Sequence, residues 1–519
     1  MRPVTNGNEE RGISRLGKAG LLLAPVLAVA VYLAIPADVS GDPARGLGQP
    51  GRAVAAVGVL MAVLWVTEAL PIPITALLPL ALFPLLTLNT VTIRETAAPY
   101  AHELIFLFMG GFMIALAMQR WNLHRRIALG TILLVGTRPH RLVAGFMAAS
   151  AFLSMWVSNT ATMVMMLPIA LSVIELVRRH LAEIRGGWQP TPGAPFHFAL
   201  CLLLGIAYAA SIGGIGTLIG TPPNLLLAAF VSGEYGIKIS FARWMGVGIP
   251  LVAVFLPLTW LLLTRVVYPI RLPGIPGGRD LILREFRAMG PMSRGEKIVA
   301  VVFALTALAW ITRPYLLVPL KVAGATPLAG LTDTGIAMTG ALLLFVLPVD
   351  WKHGIFALSW RQAAALPWGI LILFGGGLSL ASAITATGVA EFLGHRVGAL
   401  AYLPLPVLMV FVITLIVFLT ELTSNTATIA AFLPILGAVA VGLHVNPILL
   451  TVPAAIAASC AFMMPVATPP NALVFSSGEI TIPQMCKAGL WLNLLGIGLI
   501  MAVMYGVAVH VLQATGNAA

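Results

Sequence analysis

The sequence predicts an all-α polytopic membrane protein, with about 11 transmembrane helices and two re-entrant helical hairpins arranged as two inverted repeats. First, the chain is 59% hydrophobic and only 9% charged, whereas charged residues make up about a quarter of a soluble domain. Second, apolar stretches near the ~20 residues that cross a bilayer recur along its whole length. Third, a set of polar motifs occurs twice in the same order.

The apolar stretches are assigned in chain order. The predicted spans begin near Leu21, Val54, Ile72, Glu103, Phe198, Trp244, Ile298, Thr334, Ala365, Leu449 and Ala488. The first is read as a permanent helix rather than a cleaved signal peptide, because this fits the charge pattern. Two further stretches, 141–180 and 404–443, carry a Ser-Asn-Thr in the middle and a Pro shortly after it. That composition is poor for a lipid-facing helix and favours a hairpin that enters and leaves by the same face.

The net charge of +12 is explained by membrane topology. With a cytoplasmic N-terminus and two re-entrant hairpins, most Lys and Arg residues fall on the cytoplasmic side, including the group at 265–297, as the positive-inside rule requires. We therefore expect a multi-pass protein of a bacterial inner (plasma) membrane. Its basic residues face anionic lipid, and nucleic acid is not expected as a partner.

An internal repeat is the most informative feature of the sequence. The five residues 158–162, Ser-Asn-Thr-Ala-Thr, recur unchanged at 424–428, and Thr-Pro-Pro-Asn occurs at both 221–224 and 468–471. A Gly-Gly pair precedes each hairpin, at 110–111 and 376–377. Five full spans and one hairpin separate matching points, so the second unit starts on the opposite face. Inverted repeats of this kind place a site at the middle of the membrane in many secondary transporters.

The repeated residues suit an anion accompanied by cations. A hairpin tip exposes helix N-terminal N–H groups beside Ser, Asn and Thr side chains, which makes a cradle for a carboxylate. Two tips would hold the two ends of a dicarboxylate. The motifs contain no Lys, Arg or His, so a dianion would need mobile cations, and the Pro-Pro breaks free carbonyl oxygens to coordinate sodium. The alternative is structural, since Ser and Thr join membrane helices and Gly pairs allow close packing.

Glu421 has no counterpart in the first repeat, where Met155 occupies the matching position. An acid inside a membrane segment is either a hydrogen-bonded structural group or a group with a coupling or proton-sensing role. The sequence leaves both alternatives open.

The paired motifs, together with segments 106–112 and 120–126, resemble the divalent anion/sodium symporter family, the INDY-type dicarboxylate transporters. The resemblance covers nearly the whole chain. It implies sodium-coupled uptake of C4 dicarboxylates (succinate, malate or fumarate) by an elevator mechanism in a homodimer. A sodium-independent dicarboxylate exchanger, or a citrate or sulfate carrier of the same family, is the alternative.

The resemblance also implies site residues. Substrate contacts would come from Ser158, Asn159, Thr160, Thr221, Pro222, Ser424, Asn425, Thr426, Thr468 and Pro469. The first site for co-transported sodium would use Ser154, Ser158, Asn159 and the backbone of Gly220. The second would use Thr420, Thr423, Asn425 and the backbone of Ala467.

The implied domain organisation alternates along the chain. A cytoplasmic tail (1–20) precedes scaffold helices 1–4 (21–140), and the first half of the transport domain (141–243) contains one hairpin and broken helix 5. Helix 6 (244–270) and a cytoplasmic linker (271–297) lead to helices 7–9, mainly scaffold (298–403). The second half of the transport domain (404–519) contains the other hairpin, broken helix 10 and helix 11. Neither a nucleophile elbow nor a phosphate loop is present, so an enzyme is not expected, and duplicated broken helices favour alternating access over a channel.

Overall fold

The computed structural model describes residues 15–38, 45–136, 138–184, 196–272, 278–321, 326–397, 403–508 and 511–512. Most of the predicted N-terminal tail and part of the predicted linker lie outside these ranges. The helices of the first half are α1 (Arg15–Ala34), α2 (Gln49–Thr67), α3 (Ile72–Thr75), α4 (Leu78–Leu86), α5 (Ile93–Ala97), α6 (Glu103–Arg120), α7 (Leu123–Val135), α8 (Pro139–Ser154), α9 (Asn159–Ile184), α10 (His197–Gly214), α11 (Pro222–Tyr235) and α12 (Phe241–Leu261).

The second half contains a similar series of helices and one small sheet. Its helices are α13 (Gly278–Ala288), α14 (Arg294–Thr312), α15 (Asp333–Val346), α16 (Trp360–Ala363), α17 (Trp368–Ala386), α18 (Val389–Val397), α19 (Leu405–Thr420), α20 (Asn425–Gly442), α21 (Ile448–Ala458), α22 (Pro469–Ser476) and α23 (Ile482–Val503). Strands β1 (Pro348–Asp350) and β2 (Ile355–Phe356) pair antiparallel. A 3₁₀ turn, Ala98–Ala101, joins α5 to α6, and π-helical turns extend α12, α14 and α23.

The nearly all-helical, multi-pass prediction is confirmed. Among the described residues, 10 helices are long and apolar enough to cross a membrane. The spans predicted from Ile72, Thr334 and Leu449 are shorter apolar helices. The first of these is divided into α3 and α4, because Pro79 lies in the first turn of α4, where its missing N–H and fixed φ suit a helix start and not a helix interior.

The repeated motifs coincide with helix ends. Each Ser-Asn-Thr lies at a short turn between two helices, since α8 and α9 are joined by residues 155–158 and α19 and α20 by residues 421–424. Each Thr-Pro-Pro-Asn starts a helix after an irregular segment, 215–221 between α10 and α11 and 459–468 between α21 and α22. We call the two short turns the first and second tip, and the two irregular segments the first and second break.

The two halves pack across each other. Helix α11 of the first half packs against α20 and α21, and α22 of the second half packs against α9 and α10. The glycine pairs permit a second crossed contact. A Cβ on Gly110 would come within 2.8–2.9 Å of Ala337 on α15, and one on Gly376 would collide with the Ala76 carbonyl between α3 and α4. Each half therefore needs the other to complete its packing.

A buried ion pair fastens α7 to α14. The Arg126 guanidinium donates to Glu296 at 2.8 Å, with side chains that are 13% and 6% exposed. Glu296 also accepts from the Ser293 amide at 2.7 Å, in a capping box at the start of α14. One carboxylate thus satisfies both the helix terminus and the arginine of a neighbouring helix.

Candidate binding site

The first tip brings together three of the residues expected at the first sodium site. The Ser154 hydroxyl donates to Asn159 Oδ1. A Cβ placed on Gly214 would lie 3.1 Å from Asn159 Oδ1 and 3.1 Å from the Gly220 carbonyl oxygen, so both oxygens lie beside Gly214, where α10 ends. Ser158 is half-buried, and its hydroxyl accepts from the Ala161 amide at 3.3 Å. It therefore caps the first turn of α9.

The second tip repeats part of this arrangement. The Thr420 hydroxyl lies 2.6 Å from Asn425 Oδ1 and 3.1 Å from the Ala458 carbonyl oxygen, where α21 ends. The Thr423 hydroxyl is engaged elsewhere, because it donates to the Leu419 carbonyl at 2.9 Å and contacts the Thr428 hydroxyl at 2.6 Å. Ala467, the remaining residue expected at the second sodium site, is buried in the second break.

The breaks are held open by asparagines. Thr221 and Thr468 have extended backbones, with φ of −144° and −142°. The Asn224 amide donates to the carbonyls of Gly214, Ile215 and Thr217 at 2.8–3.3 Å. Asn471 donates to those of Ala461 and Met464 at 3.1 Å. These side chains take the place of backbone donors that an unbroken helix would have supplied.

The structural role of these two asparagines is not predicted from the sequence. The repeated fourth letter of Thr-Pro-Pro-Asn is the signal that marks them. A local motif does not indicate the acceptors, because these carbonyls lie seven to ten residues earlier in the chain.

Four helix N-termini carry the residues expected to contact substrate. Helices α9 and α20 begin at the asparagines of the tips, and α11 and α22 begin at the first proline of each double-proline motif. Thr160 and Pro469 are exposed, Pro222, Ser424, Asn425 and Thr426 are half-buried, and Thr221 and Thr468 are buried. Each N-terminus contributes about half a positive charge through its unpaired N–H groups, so the motif residues lie in positive local fields without a basic side chain.

The surroundings of the two tips differ. Trp156 in the first tip is buried, with its ring 6.0 Å from that of Phe241 and 6.5 Å from that of Trp310. Leu422, at the matching position of the second tip, is 66% exposed. An aromatic cluster therefore covers Trp156 in the first tip, whereas Leu422 is exposed between the buried Glu421 and Thr423 in the second. The aromatic contacts make Trp156 a packing residue in this structure.

Glu421 of the second tip is buried and accepts hydrogen bonds from the second break. Its carboxylate accepts from the Phe462, Met463 and Met464 amides at 2.7–3.0 Å and from Asn493 Nδ2 at 2.7 Å. Of the two roles that the sequence left open, this geometry is that of a hydrogen-bonded structural acid.

Paired tips and breaks in a nearly all-helical, multi-pass chain define a membrane protein of the kind in which broken helices surround a buried site. The sequence model of a protein family, described as the sodium:sulfate symporter transmembrane region, matches residues 18–512 of this chain. The chain therefore belongs to the sodium:sulfate symporter family.

Curated relatives are similar along almost their whole length. The sodium-dependent dicarboxylate transporter SdcS of Staphylococcus saprophyticus is 42% identical over 503 residues, which cover 96% of this chain and 93% of that protein. SdcS of Staphylococcus aureus strain USA300 is 44% identical over 489 residues, covering 94% of this chain and 90% of that protein.

Solved structures share the fold at low sequence identity. The YdaH transporter of Alcanivorax borkumensis has a TM-score of 0.57 at 15% identity, with 95% of this chain and 98% of that chain covered. MtrF of Neisseria gonorrhoeae, described as illuminating a class of antimetabolite efflux pumps, has a TM-score of 0.56 at 12% identity. The match covers 97% of this chain and 95% of that chain. At these identities the likeness concerns the fold alone.

Proposed function

We propose that this chain is a secondary active transporter that couples sodium influx to the uptake of C4 dicarboxylates such as succinate, malate and fumarate. One observation carries the proposal. At each tip a hydroxyl, from Ser154 or Thr420, meets the amide oxygen of an asparagine beside a backbone carbonyl of the adjacent broken helix. Two such oxygen clusters, one per half, are what two cation sites require.

The chemistry of these clusters suits sodium. Sodium is a hard cation, and neutral hydroxyl, amide and carbonyl oxygens are appropriate ligands for such ions. In the structure the Thr420 hydroxyl donates to the Asn425 amide oxygen. Rotation of the hydroxyl would turn its lone pairs toward a bound ion, because a hydroxyl is both donor and acceptor. The first site is proposed at Ser154, Ser158, Asn159 and Gly220, and the second at Thr420, Thr423, Asn425 and Ala467.

The substrate site is proposed between the two tips and the two Thr-Pro turns. Four helix N-termini, each with a partial positive charge spread over its N–H groups, would stabilise part of the charge of a dianion. Serine, asparagine and threonine side chains of the tips would donate to the carboxylates. Because no lysine, arginine or histidine lies within the motifs, sodium entering with the substrate would supply the remaining charge balance.

The relatives support transport rather than catalysis, since two that match over 90% or more of their length are named sodium-dependent dicarboxylate transporters. We extend the proposal to a homodimer in the bacterial inner membrane with a cytoplasmic N-terminus. Scaffold segments 21–140 and 298–403 would contact the partner subunit and lipid, while segments 141–243 and 404–519 would move as the transport domain. The crossed packing of α11 with α20 and of α22 with α9 supports movement of the two tips as one unit.

Uptake of labelled succinate into proteoliposomes tests the proposal. An inward sodium gradient should drive accumulation, and potassium in place of sodium should abolish it. Vesicles preloaded with dicarboxylate test exchange, and competition with citrate and sulfate tests the other substrates. Protein-free liposomes are the control.

Two outcomes would reject the proposal. Equal uptake in sodium and in potassium would refute the proposed sodium coupling. Competition by sulfate but not by malate or fumarate would refute the proposed dicarboxylate substrates. Uptake that depends on internal dicarboxylate and not on sodium would identify an exchanger.

A further inference from the structure

Glu421 lies at the junction of three elements. It occupies the second tip, it accepts from three successive amides of the second break, Phe462 to Met464, and it accepts from Asn493 on α23. All of these partners are N–H donors. N–H donors favour the ionised form of a carboxylate, which only accepts hydrogen bonds, and hydrogen bonds to an ionised group are about twice as strong as neutral ones.

The three amides determine which backbone carbonyls are free. In a continuing helix the amide of residue i donates to the carbonyl of residue i−4, so Phe462, Met463 and Met464 would pair with Ala458, Ser459 and Cys460. Because Glu421 accepts from the Phe462 amide instead, the carbonyl of Ala458, the last residue of α21, does not receive that amide. The Ala458 carbonyl oxygen contacts the Thr420 hydroxyl at 3.1 Å, beside Asn425 Oδ1.

Both breaks begin with the same turn. The Ile215 and Gly216 amides donate to the carbonyls two residues before the end of α10 and one residue before it, at 3.1 and 2.9 Å, and the Ser459 and Cys460 amides do the same at the end of α21, at 3.0 and 2.9 Å. The breaks differ at the last helix carbonyl, because that of Gly214 accepts from Asn224 Nδ2 at 3.1 Å, whereas that of Ala458 contacts the Thr420 hydroxyl at 3.1 Å. Met155, the counterpart of Glu421, offers no carboxylate to the first break.

Helix α23 supplies a further donor to Glu421. We call Glu421, together with its N–H donors from the second break and from α23, the clamp. Gly489 allows α23 to approach the second break, because a Cβ there would collide with the Phe462 carbonyl. Asn493, one helical turn later on the same face, is fully buried and donates to Glu421 at 2.7 Å. Glu421 is thus held by α23 as well as by the second break.

We infer that Glu421 is a positioning residue that holds the second break open, so that the freed Ala458 carbonyl becomes an additional ligand of the second sodium site. This inference rests on the proposed function. Glu421 itself touches neither the ion nor the substrate. It makes the two cation sites unequal, because only the second one has a carboxylate-capped break behind it.

Glu421→Gln tests the inference. Glutamine keeps the shape but places an N–H₂ group against backbone N–H groups, so that at most one side of the clamp survives. The sodium concentration for half-maximal succinate uptake should rise at least tenfold, while the rate at saturating sodium stays within about threefold of the wild type, because excess sodium fills the weakened site. A purely structural role would instead lower folded yield and leave the sodium half-saturation of the folded protein unchanged.

Glu175→Gln is the matched control, since Glu175 on α9 is half-exposed and, within the described part of the chain, forms its ion pair with the exposed Arg179 of the same helix. Its sodium dependence should equal that of the wild type. Asn493→Leu removes one clamp contact at similar volume and should raise the sodium half-saturation two- to fivefold. It decides the matter if Glu421→Gln does not fold.

Thermal stabilisation of the detergent-purified protein by sodium chloride over choline chloride, without substrate, reports cation binding separately from transport. Loss of part of this stabilisation in Glu421→Gln is the expected result. Wild-type sodium half-saturation and wild-type stabilisation in folded clamp variants would overturn the inference. Absence of both sodium responses in the wild-type protein would instead reject the proposed function.

Discussion

Replacing Thr420 by valine removes a single hydroxyl from the second proposed sodium site without changing side-chain shape. The hydroxyl lies 2.6 Å from Asn425 Oδ1 and 3.1 Å from the Ala458 carbonyl oxygen, and Thr420 is fully buried. Without a bound ion the loss is a hydrogen bond between neutral groups, worth about 1 kcal/mol. We therefore expect Thr420→Val to fold.

With sodium bound, the same substitution removes a ligand to a charge. Taking interactions with charged groups at roughly 1.5–3 kcal/mol as the scale, and one factor of ten per 1.4 kcal/mol, the sodium half-saturation should rise about 10- to 100-fold. Sodium titration of succinate uptake in proteoliposomes measures this increase, and thermal unfolding in detergent measures the change in stability.

Thr451→Val is the matched control. Thr451 is also fully buried, but its hydroxyl donates to the Pro447 carbonyl of its own helix at 2.8 Å. It should lose similar stability and keep the wild-type sodium half-saturation. A folded Thr420→Val protein with unchanged sodium dependence would refute the placement of an ion at the second tip.

Four further single substitutions test other parts of the structure. Asn159→Ala and Asn425→Ala should each abolish uptake while leaving expression and the elution volume in size-exclusion chromatography unchanged, and normal uptake by both would count against the site. Asn224→Leu should lower the free energy of unfolding by about 2–3 kcal/mol, because buried carbonyls of the first break lose their donor. An unchanged thermal midpoint would show that the Asn224 hydrogen bonds do not stabilise the protein. Arg126→Gln should lower the free energy of unfolding by about 3 kcal/mol, because it leaves Glu296 buried without its partner. Adding Glu296→Gln should recover part of this stability, and no recovery in a double-mutant cycle would mean that the pair is not coupled.

Much of the fold was predictable because polar residues in apolar segments are informative. Within a hydrophobic chain, a Ser-Asn-Thr or a double proline interrupts helical bonding, and the structure begins α9 and α20 at the asparagines and α11 and α22 at the prolines. The prediction of a nearly all-helical membrane protein of the symporter family is confirmed. The domain boundaries and the roles of the site residues stay predictions.

The unpredicted features depend on contacts between residues distant in the chain. The partners of Glu421 lie 41 to 72 residues away, and no local pattern indicates which amides a carboxylate will reach. The Thr423 hydroxyl shows the same limit at short range. The family resemblance implies that it is a sodium ligand, but its rotamer in the structure directs it to Leu419 and Thr428.

The crossed glycine contacts have a consequence for biosynthesis. When the first half has entered the membrane, Gly110 lacks its packing partner Ala337, and Ala76 lacks its packing partner Gly376, because both partners belong to the second half. The first half alone is therefore expected to be an incompletely packed folding intermediate and not an independently stable domain. Cells that make the two halves from separate genes should retain them when both are synthesised together, and should degrade either one made alone.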